Sequence, residues 1–205
     1  MLRSVLLTFL VAFSVSVNAQ GVNYNYVQGS YGLVNLDGPG LDVDGDGVGL
    51  SASFAIDENF HVFGEYQSAD SSFVGDLDLM EFGVGYHTNI SPNMDVYANL
   101  GYLEFETYGG GGGGGCPIGV ACTSSGGGAG DDDALAVGLG LRGAVSEAVE
   151  LFGGIDYIEF DDSHNETRAN AGFVLRLTEK SGVGLKATFW DDVNIYQFNA
   201  RFYFE

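Results

Sequence analysis

Charged residues that could do chemistry in this chain keep to one parity of its alternating stretches. Of the seven Lys and Arg residues, Arg3 lies in the N-terminal segment and Lys180 in a turn. The other five, Arg142, Arg168, Arg176, Lys186 and Arg201, share that parity with Glu65, Glu81, Glu150 and Asp156. Side chains on a strand alternate between faces, so these nine are expected on one side of a sheet. Two chemistries fit such a set: a selectivity constriction in a channel, or a buried polar network whose ions pair with one another. A buried network is tolerable only when nearly every member is satisfied. The network reading is preferred, because a barrel of about eight strands is filled by side chains and ten adds little room.

Other reactive residue types carry less. Asp42-Val43-Asp44-Gly45-Asp46-Gly47 imitates the start of an EF-hand loop. Its twelfth position is Ser53 where a Glu is needed, and a strand follows where a helix belongs, so an EF-hand is excluded. Weak divalent-ion binding by Asp42, Asp44 and Asp46, aided by Asp131 to Asp133 or Asp161-Asp162, is the remaining metal reading; a solvated acidic rim is preferred. His164 lies beside Asp161 and Asp162 without a nucleophile, and triad chemistry needs one within reach. His61 and His87 are expected to face inward at one end of a hairpin; pairing with Glu65 or Glu81 and weak metal binding are the alternatives, and satisfied interior histidines are preferred. No enzymatic activity and no cofactor is expected. Cys116 and Cys122 lie six apart in a Gly-rich segment, a spacing that suits a local loop disulfide in an oxidising compartment.

The elements that position these residues follow an export signal. Arg3 supplies a positive charge, Val5 to Val17 is apolar, and Val17-Asn18-Ala19 reads as a cleavage site. Residues 1–19 are therefore expected to be removed, leaving a single domain at 20–205. The composition, with 33 Gly, 15 Phe and 11 Tyr but 3 Pro, favours strands and turns. A formal charge of -21 excludes a nucleic-acid partner, which would need a basic footprint.

Ten stretches alternate, from the Tyr-rich Val22 to Val34 through Tyr196 to Glu205. In the first, Gly29 and Gly32 suggest a parity-switching bulge. Strands of 9–13 residues are long enough to cross a bilayer when tilted. Most breaks after even strands are short, whereas 37–47, 68–76, 106–133 and 161–166 are longer and acidic, the asymmetry of membrane barrels. Residues 109–130 are expected to form a Gly-rich outer loop. A soluble barrel would put the charges outside. Here the charged parity also carries Gly83, Gly85, Gly138, Gly140, Gly154, Gly172 and Gly184, which suits a narrow interior. The fold expected is an all-β, transmembrane, antiparallel up-and-down barrel. Ten strands fit best; eight and twelve are the neighbouring even counts.

Tyr24 to Tyr31, Asp44 to Gly49, Glu58 to Gly64 and Phe82 to His87 with Ile90-Ser91-Pro92 resemble small proteobacterial outer-membrane β-barrel proteins of the OmpA/OmpX-like porin-family superfamily. The resemblance covers most of the chain after residue 19 and is strongest up to about residue 105. It implies a Gram-negative outer membrane and supplies no catalytic residue. The expected role is envelope structure or limited permeation of small solutes, with surface adhesion or ligand binding through the outer loops as the alternative. The partners expected are outer-membrane lipid and lipopolysaccharide, the assembly machinery during insertion, and no second subunit. Phe204 before Glu205 resembles the aromatic C-terminal insertion signature.

Overall fold

The computed structural model describes residues 22–38, 41–71, 75–108, 130–161, 165–190 and 193–205. The export signal, the cysteine pair, Asp162 and His164 lie outside them. Ten strands follow in order: β1 (Tyr26–Gly38), β2 (Leu41–Ala55), β3 (Phe60–Ser71), β4 (Gly75–Ser91), β5 (Met94–Tyr108), β6 (Gly130–Ala144), β7 (Val149–Phe160), β8 (Asn165–Thr178), β9 (Ser181–Trp190) and β10 (Val193–Tyr203). Each pairs antiparallel with its chain neighbours, and β1 pairs with β10, so the sheet closes into an up-and-down barrel. Closure removes the two free edges that lipid could not satisfy.

Period-two patterning decides which face is which. Outward side chains are apolar and exposed, as at Leu50 and Leu139 (63 % each) and Phe198 (54 %), whereas inward Glu150 is 0 % exposed. This inversion of the soluble-protein rule is what hydrocarbon solvent demands. Inward glycines make the narrow bore workable. A Cβ on Gly140 would strike the Tyr97 ring, and one on Gly172 the Phe152 ring.

Two expectations need correction. Gly29 and Gly32 form no bulge, because β1 pairs without a register break with both β2 and β10. Its pattern looks irregular because inward Tyr26 and Val34 are apolar-bodied, while outward Gly29 is not. The acidic breaks are also shorter than expected, since ladder pairing continues through them. Asp42, Asp44 and Asp46 stand in β2, opposite Asp37, Asn35 and Leu33 of β1. An extended strand cannot wrap a cation as a loop does, so the calcium-loop likeness is one of sequence only. We call the end with both termini and the short connections the turn end, and the opposite one the loop end.

Candidate functional site

All nine charged residues singled out by parity line the interior, where they fall into three groups. At the turn end, the Glu150 carboxylate accepts from three guanidinium groups. Arg142 Nε donates to Oε1 at 2.7 Å, Arg201 Nη1 to Oε1 at 3.2 Å, and Arg176 Nη2 to Oε2 at 3.1 Å. Arg142 also donates to the Asn23 carbonyl at 3.0 Å, and Arg201 to Gln28 Oε1 at 2.9 Å. Tyr26 lies under the Arg201 guanidinium, 4.1 Å from its ring centre, and adds a cation–π contact. Three cations on one carboxylate leave an excess of positive charge that would be costly alone. Asp95, 2 % exposed and 3.6 Å from His87 Nδ1, lies at the same end and reduces it.

Farther along the bore, Arg168 bridges two acids, donating to Asp156 Oδ2 and Glu81 Oε2 at 2.9 Å each. Asp156 and Arg168 are direct cross-strand partners on β7 and β8. Glu81 comes from β4, so this interaction spans the lumen. Lys186 Nζ and Glu65 make the third group at 3.4 Å, with side chains 20 % and 23 % exposed. It is the loosest of the three groups.

The loop end of the lumen is apolar, a feature the sequence pattern did not reveal. Leu79, Leu103, Phe105, Ala134, Ala136, Ile158, Phe160, Trp190 and Val193 form one buried cluster, with Val34 and Ile195 packed against it. Leu103 and Ile158 are 0 % exposed and Trp190 2 %. Phe105 meets both Phe160 and Trp190, at ring-centre distances of 5.5 and 5.6 Å. Trp190 also covers the Arg168 guanidinium at 5.5 Å. Every member shares the charged parity of its strand; Ala136 and Trp190 fall within the alternating stretches, whereas Leu79, Leu103, Phe105, Ala134, Ile158, Phe160 and Val193 stand beyond their ends.

The turn end is also obstructed. Residues ahead of β1 cross the mouth, held by Asn25 Oδ1 accepting from Ala55 N (2.8 Å) and by Phe204 N donating to the Asn25 carbonyl (3.2 Å). Tyr24 sits inside, 5 % exposed, stacked on His87 at 3.8 Å and beside His61 at 4.7 Å. Burial raises the Tyr24 pKa well above its ordinary value, so the phenol stays neutral. His61 and His87 therefore pack on a tyrosine, and neither makes a hydrogen bond or ion pair with Glu65 or Glu81 among the described residues. His87 Nδ1 faces Asp95 Oδ2 at 3.6 Å, whereas His61 Nδ1 and His87 Nε2 have no hydrogen-bond partner among the described residues.

Tyr31 donates to Asp46 Oδ2 at 3.1 Å on the exterior. Among the described residues, no group of His, Cys, Asp and Glu side chains could hold a metal ion.

The family model described as outer membrane protein beta-barrel domain matches residues 5–177. Among solved structures, the chain is similar to the translocator domain of the autotransporter NalP from Neisseria meningitidis (10% identity, TM-score 0.47, 98% of this chain and 96% of that one). It is also similar to the KdgM porin in complex with disordered oligogalacturonate (6% identity, TM-score 0.46, 88% and 99%). A third is the N-terminal β-barrel domain of Pseudomonas aeruginosa OprF (12% identity, TM-score 0.44, 89% and 100%). No curated protein matches the sequence. With its family model matched over most of the chain and its apolar face turned outward around a closed sheet, the protein belongs to the outer membrane protein β-barrel domain family and is a multi-pass barrel of the outer membrane.

Proposed function

We propose that this protein is a non-enzymatic structural barrel of the envelope whose lumen is closed at rest, in preference to an open solute pore. The observation that carries this reading is the apolar plug, where Leu103 and Ile158 are 0 % exposed between strands that must stay paired. A hydrated ion entering that layer would lose water without gaining polar partners, which costs several kcal/mol. The charge groups support the same reading, because their ions hold one another across the bore and tie strands distant in sequence. Glu150 on β7 is bound by residues of β6, β8 and β10.

In this role the barrel is monomeric, surrounded by outer-membrane lipid and lipopolysaccharide, and inserted by the outer-membrane assembly machinery. Its loop end faces outward and its turn end the periplasm. Single-channel recording of the folded protein in planar bilayers tests the proposal: a silent membrane is expected, and discrete openings would contradict it.

A further inference from the structure

Three nitrogen-bearing groups surround the Tyr24 ring at the turn end. The Arg142 guanidinium lies 4.8 Å from its centre, the His87 imidazole stacks on it at 3.8 Å, and the His61 imidazole stands at 4.7 Å. The two imidazoles are 5.5 Å apart. Arg142 is a permanent cation, whereas a histidine gains or loses its proton near neutral pH. The phenol faces a single charge only while both imidazoles are neutral.

Nearby acids do not serve the two histidines equally. Asp95 Oδ2 faces His87 Nδ1 at 3.6 Å, and Asp95 Oδ1 accepts from Asn89 at 2.7 Å. Asp57, in the β2–β3 connection, also acts on His87. A proton on His87 is therefore matched by negative charge. His61 makes no ion pair among the described residues, and the charged groups that act on it are His87 and Arg142. Other acids of the bore are committed elsewhere, Glu150 to Arg142, Glu81 to Arg168 and Glu65 to Lys186. From β5, Tyr97 pairs across the ladder with His87. The neighbours Ala55 and Ser53 of β2 and Asn99 of β5 do not titrate.

His61 is also pinned. It is 4 % exposed and lies across Gly85, where a Cβ would overlap its imidazole. A protonated His61 would be a buried cation beside Arg142 with no counter-charge, which is strongly unfavourable. Relief lies in the segment that carries Tyr24. Its ties are few: Asn25 to Ala55 and Phe204, and the Asn23 carbonyl to Arg142 at 3.0 Å. Lifting residues 23–25 admits water to His61.

We infer that residues 23–25 form an acid-released strap with His61 as its sensor: proton uptake by His61 unseats Tyr24 and opens the turn end, while the apolar plug stays shut. Released into water, His61 takes its proton near the ordinary histidine value of about 6.5. Seated, it has no counter-charge for that proton. The seated strap is therefore favoured above about pH 6.5 and loses up to about tenfold in population for each unit below it.

The test is amide exchange of the mature barrel refolded in detergent micelles, at about pH 7.5 and about pH 5, with rates divided by those of unstructured peptide at the same pH. Protection at Ala55 and Phe204 should fall by roughly thirtyfold on acidification, while Phe173 in β8 keeps its own. The variants His61→Gln and His61→Phe cannot take the proton and should show no such fall. Unchanged protection in the wild type, an equal fall at Phe173, or a fall that persists in either variant would overturn the inference. The wild-type comparison decides alone if neither variant refolds. Conductance plays no part in this readout, so failure of the closed-barrel reading is distinguishable from failure of the strap.

Discussion

Arg142 Nε stands 2.7 Å from Glu150 Oε1, and both side chains are withdrawn from solvent at the turn end of the lumen. Adjacent strands β6 and β7 carry them, yet the same carboxylate also takes Arg176 from β8 and Arg201 from β10. One acid thus holds four strands.

Glu150→Gln should therefore be the most damaging single charge change in the barrel. It leaves three guanidinium groups facing a neutral amide, and breaking a buried pair in this way costs about 3–5 kcal/mol. Urea unfolding of the refolded barrel, followed by its heat-modifiable mobility on gels, measures it. Glu65→Gln is the control. Its pair with Lys186 is longer and more accessible, and a screened pair contributes only about 0–1 kcal/mol.

The plug makes the protein's only tryptophan a reporter. Trp190 fluorescence should be blue-shifted in the folded protein. Leu103→Ala removes a fully buried side chain and should lower stability by about 2–5 kcal/mol. Leu103→Asp should instead hydrate the layer, shift Trp190 emission to the red and give measurable conductance. Unchanged emission in the aspartate variant would mean that residue 103 does not seal the loop end.

Tyr24 acts as the stopper of the turn end. In Tyr24→Ala, the segment ahead of β1 loses its stacking on His87, and its hydrogen bonds to Ala55 and Phe204 should open more often. Amide exchange at Ala55 and Phe204 should accelerate by about tenfold, the equivalent of 1.4 kcal/mol. Exchange at Phe173, in the middle of β8, should stay as it is.

Asp57 caps the β2–β3 connection, accepting from Asn59 N and Phe60 N at 2.8 Å each. The Asn59 backbone hydrogen bond is the largest cause of a carboxyl pKa below the ordinary value, followed by that of Phe60. A lowered folded-state pKa stabilises the turn above the unfolded pKa, and the contribution disappears as pH falls through the folded one. Titration of the Asp57 carboxyl by NMR should show a midpoint below about 3.9, the ordinary aspartate value; a midpoint above it would contradict the capping role.

Much of this architecture is legible in the residues. Alternation from Val48 to Phe54 and from Tyr196 to Phe204 gives strand parity, and the glycines opposite the apolar set distinguish a lumen from a solvent face. The inward placement of Arg201 and Glu150 follows from parity alone. Which acid meets which base does not, because Arg168 and Glu81 belong to β8 and β4 and meet only through barrel closure. The plug was hidden for a related reason. Leu103 and Ile158 lie one residue past Tyr102 and Tyr157, which look like girdle residues closing their strands, whereas the ladder runs on to Tyr108 and Phe160. Asp95 and Tyr24 were also missed: one stands at the first turn-end positions of β5, the other ahead of β1, where alternation gives no direction.

The most direct test of the closed barrel is single-channel recording of folded wild-type protein in planar bilayers, alongside the Leu103→Asp variant. Closure predicts a silent membrane for the wild type and discrete openings for the variant. Discrete openings from the wild-type protein, with no increase in the variant, would contradict it.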